Sequence, residues 1–148
     1  MAEIGFYHLR TTPLDRALPR LLERGLAEGH RILVLAGSTE RVQHLDAMLW
    51  TYNEAGFLPH GSAHDANAPR QPIFLTDRDE NPNAATMLVL LDGARPASFE
   101  GFQRCCDVFD GNDEAQVVAA RERWAAAKSA GHNLTYWQQG EEGWEKRG

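Results

Sequence analysis

The sequence predicts an α/β protein, a single-domain three-layer fold in which a largely parallel central sheet is flanked by helices. Three observations predict it. Short apolar runs of the buried-strand kind alternate with longer segments of helical period, the pattern of a sheet covered on both faces. Residues 31–36 lead through Gly37-Ser38 directly into a helical segment, which is the opening of a parallel crossover unit. At 148 residues, 43% hydrophobic and 24% charged, the chain has the length and composition of one globular core.

The first strand is Ile4-Gly5-Phe6-Tyr7-His8-Leu9. Thr12-Pro13-Leu14-Asp15 then places a helix cap, a proline at the first helical position and an early acid. Leu14, Leu18, Leu21, Leu22 and Leu26 recur at helical spacing, and Gly29 stands where a left-handed C-terminal cap is wanted. Pro19 interrupts this helix and is expected to kink or restart its first turns. Residues 31–36 form the clearest strand, and Val42, Leu45 and Leu49 mark one side of the helix that follows. Residues 53–72, rich in Gly, Pro, His, Asn and Asp, read as mostly loop. Residues 73–76 and 87–91 are strands around a polar turn, residues 96–102 hold one helical turn, and Cys105-Cys106-Asp107-Val108-Phe109 is the last strand. Asp110-Gly111-Asn112-Asp113 caps a long helix that runs to about residue 130 and ends at Gly131. Residues 1–137 are thus expected to form the domain, and residues 138–148 a polar, frayed tail.

Composition excludes several classes. The two adjacent cysteines, Cys105 and Cys106, point to opposite faces of a strand, so no disulfide framework is expected. No stretch approaches the ~18 apolar residues of a spanning helix, and residues 1–10 lack the features of a secretion signal, so a cytoplasmic protein without membrane association is expected. The sequon Asn133-Leu134-Thr135 therefore reads as chance. A net charge of -6 repels phosphate backbones and disfavours direct binding to nucleic acid.

The alternation of strands and helices is Rossmann-like in topology, yet no nucleotide fingerprint is present. The turn Ala36-Gly37-Ser38-Thr39-Glu40-Arg41 has one glycine and an acid aimed at the helix start, where a phosphate loop needs several glycines and a lysine. No cofactor is expected, because a nucleotide-like fold does not imply a nucleotide site. His60, His64 and Asp65 could suggest a metal, but further ligands would have to be guessed, and loop polarity accounts for them. Asp77, Asp79 and Glu80 lack the glycine and terminal glutamate of a calcium loop. Ser38, Ser62 and Ser98 lie outside any nucleophile elbow, and thiols in an apolar strand are inert, so no catalytic residue emerges.

The informative element is the last helix. Arg121, Trp124 and Lys128, spaced i, i+3, i+7, share one stripe, with Arg123 to one side. A ring between two cations suits an acidic chain with an aromatic or apolar anchor. Helical period alone equally allows Trp124 to pack into the core with the cations lying along it. Trp50 and Phe57 read as either core or pocket.

Phe6-Tyr7, Leu45-Asp46-Ala47-Met48-Leu49-Trp50, Phe57-Leu58-Pro59-His60 and Ala120-Arg121-Glu122-Arg123-Trp124, followed by Gly131-His132-Asn133-Leu134, occur in this order over nearly the whole chain. In them the sequence resembles the chi subunit of bacterial DNA polymerase III. The resemblance implies a non-catalytic replication protein with two binding jobs. One is pairing with the psi subunit of the clamp-loader complex. The other is capture of the acidic C-terminal tail of single-stranded DNA-binding protein, which ends in an aromatic residue with a free carboxylate. An accessory helicase is a further candidate partner. The family's tail-docking residues correspond to Trp124, Trp50 and Phe57, with Arg121 meeting the carboxylate and Lys128 supplying a cation one turn later. Val117 and Ala125 stand where the family carries two more basic residues. That loss should weaken steering more than the aromatic anchor, leaving an affinity on the order of micromolar, ~8 kcal/mol. Two other classes compete: an enzyme using a nucleotide at the carboxyl edge of the sheet, and a single-stranded nucleic-acid module.

Overall fold

The computed structural model describes residues 3–10, 13–51, 60–62, 71–96, 98–99, 101–140 and 143–146. Among them the elements run β1 (Glu3–Leu9), α1 (Leu14–Ala27), β2 (Ile32–Leu35), α2 (Thr39–Thr51), β3 (His60–Ser62), β4 (Ile73–Thr76), β5 (Met87–Leu90), β6 (Arg104–Asp110), α3 (Glu114–Ser129), β7 (Asn133–Gly140) and β8 (Gly143–Lys146). The strands form one open sheet in the order β3-β4-β2-β5-β6-β1-β7-β8, parallel except for the final β7–β8 pair. The predicted α/β fold with a largely parallel sheet is therefore the observed one.

The connections step toward the β3 edge through α1 and α2, then reverse and step toward β7 through α3. Right-handed crossovers taken in opposite directions put their helices on opposite faces. Side chains confirm it. Tyr7, Val34, Leu75, Val89 and Cys106 face a core layer shared with Leu18 and Leu22 of α1 and Val42, Leu45 and Leu49 of α2. Their neighbours Phe6, Leu33, Phe74, Leu88 and Cys105 face a second layer shared with Ala120 and Trp124 of α3. Strands buried on both faces explain the uninterrupted apolar runs.

Several local expectations change. Pro13 occupies the cap position of α1 and its carbonyl accepts from Arg16 and Ala17. The helix runs unbroken through Pro19, because burial of Leu18 and Leu22 outweighs the one backbone bond that proline removes. Residues 96–102 show no helix among those described; Phe102 N–H closes a turn on the Phe99 carbonyl, and both rings pack toward the α3 layer. The largest correction concerns residues 138–148, expected as a frayed tail. Their described part completes β7 and forms β8. Trp137 stacks parallel to Tyr7 at 6.4 Å, and Trp144 meets the same ring edge-on at 5.2 Å. Polar residues dominate this hairpin because it closes the edge of the sheet, and two indoles suffice to hold it down.

Cys105 and Cys106 are buried on opposite faces of β6 as free thiols. Burial pushes the first up to about 12 and the second up to about 11. The acidic turn after β4 is structural: Thr39 Oγ1 donates to Asp77 Oδ2 at 2.9 Å, and Thr76 Oγ1 donates to Glu80 Oε1 at 2.8 Å.

Candidate partner-binding site

The turn from β6 into α3 is built for close packing. Gly111 N–H donates to the Leu9 carbonyl at 2.7 Å, and a Cβ on Gly111 would collide with that carbonyl and with the His8 ring. Asp113 then caps α3, accepting from Ala115 N–H and Gln116 N–H. Gly131, at φ +86°, ends the helix.

Two arginines on this helix have opposite fates. Arg123 turns inward and meets Asp107 of β6 in a bidentate pair, with Nε donating at 2.7 Å and Nη2 at 2.9 Å. Both residues are buried, Arg123 at 9% exposure and Asp107 at 3%. Arg121 is exposed. Among the described residues no carboxylate lies within ion-pair distance of it.

Trp124 is half-buried and reconciles the two readings its spacing allowed. Phe6 and Tyr136 are register partners on the parallel strands β1 and β7. The indole stands edge-on to both, at 5.3 Å from Phe6 and 5.9 Å from Tyr136. One side of the ring is thus fixed by the sheet while the rest stays accessible on the flank that carries exposed Arg121 and Lys128. Val117 packs against the same core layer, and Ala125 is exposed.

His8 extends the surface. Its Nδ1 lies 2.6 Å from the Tyr136 hydroxyl. Burial holds the imidazole below its usual range, Arg10 and Arg121 push it the same way, and Asp110 opposes them in part. Burial likewise raises the Tyr136 hydroxyl, with Arg121 partly offsetting it. At the end of β1, Arg10 and Arg121 thus act on the His8 ring together, with Asp110 against them. What a surface of this kind can do is hold an anion beside a fixed aromatic ring.

The structure places Arg121, Trp124 and Lys128 along α3, with the first and last exposed and the indole half-buried. α2, which Trp50 closes, packs over β3 and β4 in the other core layer, so the whole sheet lies between α2 and α3. The Trp50 side chain and Phe57 lie outside the described residues, as do His64 and Asp65. Tyr136, His8 and Arg10 were missed by reasoning from the sequence. The period-two alternation of Leu134 and Tyr136 against Thr135 and Trp137 was the available signal for β7.

Among the described residues no group of three or more His, Cys, Asp or Glu side chains could hold a metal, and no helix is long and apolar enough to cross a membrane.

Comparison with known proteins agrees with the resemblance. A relative from Rickettsia prowazekii (strain Madrid E), described as a probable DNA polymerase III subunit chi, is 33% identical over 91 residues. That match takes in 62% of this chain and 55% of the relative, so the chain spans about half the length of the curated relative it matches. The family model described as DNA polymerase III chi subunit, HolC, matches residues 1–135. With nearly the whole described fold inside that match, the chain belongs to the DNA polymerase III chi subunit family.

Proposed function

We propose that this chain is a non-catalytic accessory subunit of the bacterial DNA polymerase III holoenzyme. It links the clamp-loader complex, through psi, to the acidic C-terminal tail of single-stranded DNA-binding protein during replication. The tail docks on the exposed flank of α3. Family membership supports the replication role. The observation that carries the docking reading is Arg121, exposed and without an ion-pair partner among the described residues, one helical turn before half-buried Trp124. A guanidinium forks onto a carboxylate, and an indole already braced by Phe6 and Tyr136 offers an aromatic terminus a contact at little entropic cost. Lys128 adds a cation one turn later.

Titration of a labelled acidic tail peptide into wild type and Arg121→Ala tests the reading. Wild type should bind on the order of micromolar, and the variant about tenfold or more weakly, since a charged hydrogen-bonded pair is worth ~1.5–3 kcal/mol. Equal affinities rule out the carboxylate role. An affinity pull-down from native lysate, read for single-stranded DNA-binding protein, clamp-loader subunits and any accessory helicase, tests the wider assignment.

A further inference from the structure

A crevice of about 420 Å³ opens at the carboxyl ends of β1, β5 and β6, bordered by the starts of α1, α2 and α3, with Leu9, Leu14 and Phe109 on its apolar wall. Open α/β sheets place ligands in such a crevice, where crossovers leave neighbouring strands toward opposite faces. Its usual anion seat is the turn from a strand into the following helix, here β2 into α2.

In this chain the seat is filled from within. Gly37 N–H donates to Asp92 Oδ2 at 3.1 Å, and Arg41 Nε lies 3.3 Å from the same oxygen. One carboxylate oxygen thus accepts from the backbone amide and sits at ion-pair distance from the Arg41 Nε, which makes no hydrogen bond among the described residues; a phosphate oxygen would use the same two groups. Asp92 reaches the site from the turn after β5, where Asp92 and Gly93 both have positive φ, +57° and +73°. Ala94 N–H closes that turn on the Leu91 carbonyl at 2.9 Å. The approach is tight, for a Cβ on Gly37 would lie 3.0 Å from the Asp92 Cβ. The single glycine of the β2–α2 turn therefore admits the chain's own aspartate and no phosphate loop.

We propose that Asp92 is the resident anion of this turn: its carboxylate closes the crevice to phosphate- and carboxylate-bearing ligands, and removing it creates a site for small oxyanions. Asp92→Gly is the informative variant, because glycine takes positive φ freely and keeps the turn. Inorganic phosphate, and acetate in a second series, is titrated at constant ionic strength while the Gly37 amide is followed by NMR. In D92G the Gly37 signal should shift and saturate in the low millimolar range, with Tm rising about 4 °C at 50 mM phosphate. Wild type should show neither, and adding Arg41→Gln to D92G should weaken binding at least threefold. If D92G does not fold, Asp92→Asn carries the same titration, with the Gly37 signal saturating below about 50 mM phosphate where that of wild type stays flat. A saturable response shared equally by wild type and variant, or a flat response in the folded variant, overturns the proposal.

Discussion

Replacing Arg123 by methionine separates the two arginines of α3. Arg123 gives two charge-assisted hydrogen bonds to Asp107 in a site where the partners are 9% and 3% exposed. Methionine fills most of the volume but leaves the Asp107 carboxylate buried without its cation. Breaking a buried pair from one side costs about 3–5 kcal/mol, because the remaining charge keeps its desolvation penalty and loses its attraction. At roughly 4 °C per kcal/mol for a chain of this length, Tm should fall by about 12–20 °C. The double variant Asp107→Leu/Arg123→Met removes both charges and should recover most of that loss, since apolar replacement of a buried pair is often neutral. Arg121→Ala, on the exposed side of the same helix, should stay within about 0.5 kcal/mol of wild type. Urea unfolding of wild type, Asp107→Leu, Arg123→Met and the double variant, read as a double-mutant cycle with Arg121→Ala measured beside them, gives these differences. A loss below about 1 kcal/mol for R123M, or a double variant as unstable as the sum of the singles, would refute the account of Arg123 as a structural cation.

Three further outcomes are expected. Trp50→Ala should change the affinity of the acidic tail peptide less than twofold, because the sheet stands between α2 and α3; a tenfold loss in the same titration would reunite the two tryptophans in one site. His8 has its folded pKa lowered from 6.5, chiefly by burial and then by Arg10 and Arg121, so its contribution to stability is present above pH 6.5 and lost as pH falls through the folded value. His8→Gln should flatten that decline in unfolding curves taken between pH 7 and 5. An anion bound at Arg121 should also raise the imidazole pKa, visible as a displaced NMR titration of the ring; an unmoved titration would place the anion elsewhere. Finally, with burial pushing Cys105 up to about 12 and Cys106 up to about 11, neither thiol should react with a disulfide reagent at pH 8 until urea unfolds the chain. Prompt labelling of the native protein would contradict their burial.

Much of the fold was legible in the sequence because the strands are buried on both faces, which leaves runs such as residues 32–35 and 87–90 with no polar residue to disguise them. The hairpin of β7 and β8 was not legible. It covers an edge, so its residues are polar wherever they meet water, and only Trp137 and Trp144 betray that one side packs on Tyr7.

The site divides in the same way. By itself the sequence determined that Arg121, Trp124 and Lys128 share a stripe, because helical spacing is a local property. It also determined that no phosphate loop follows β2, since the residue types are missing. Only the tertiary structure decided which arginine is exposed, for Arg123 is claimed by Asp107, sixteen positions earlier on another element. Tertiary structure also decided that α2 and α3 stand on opposite sides of the sheet. The direction in which each crossover steps sets the face of its helix, and that direction follows from strand order, which no local pattern encodes.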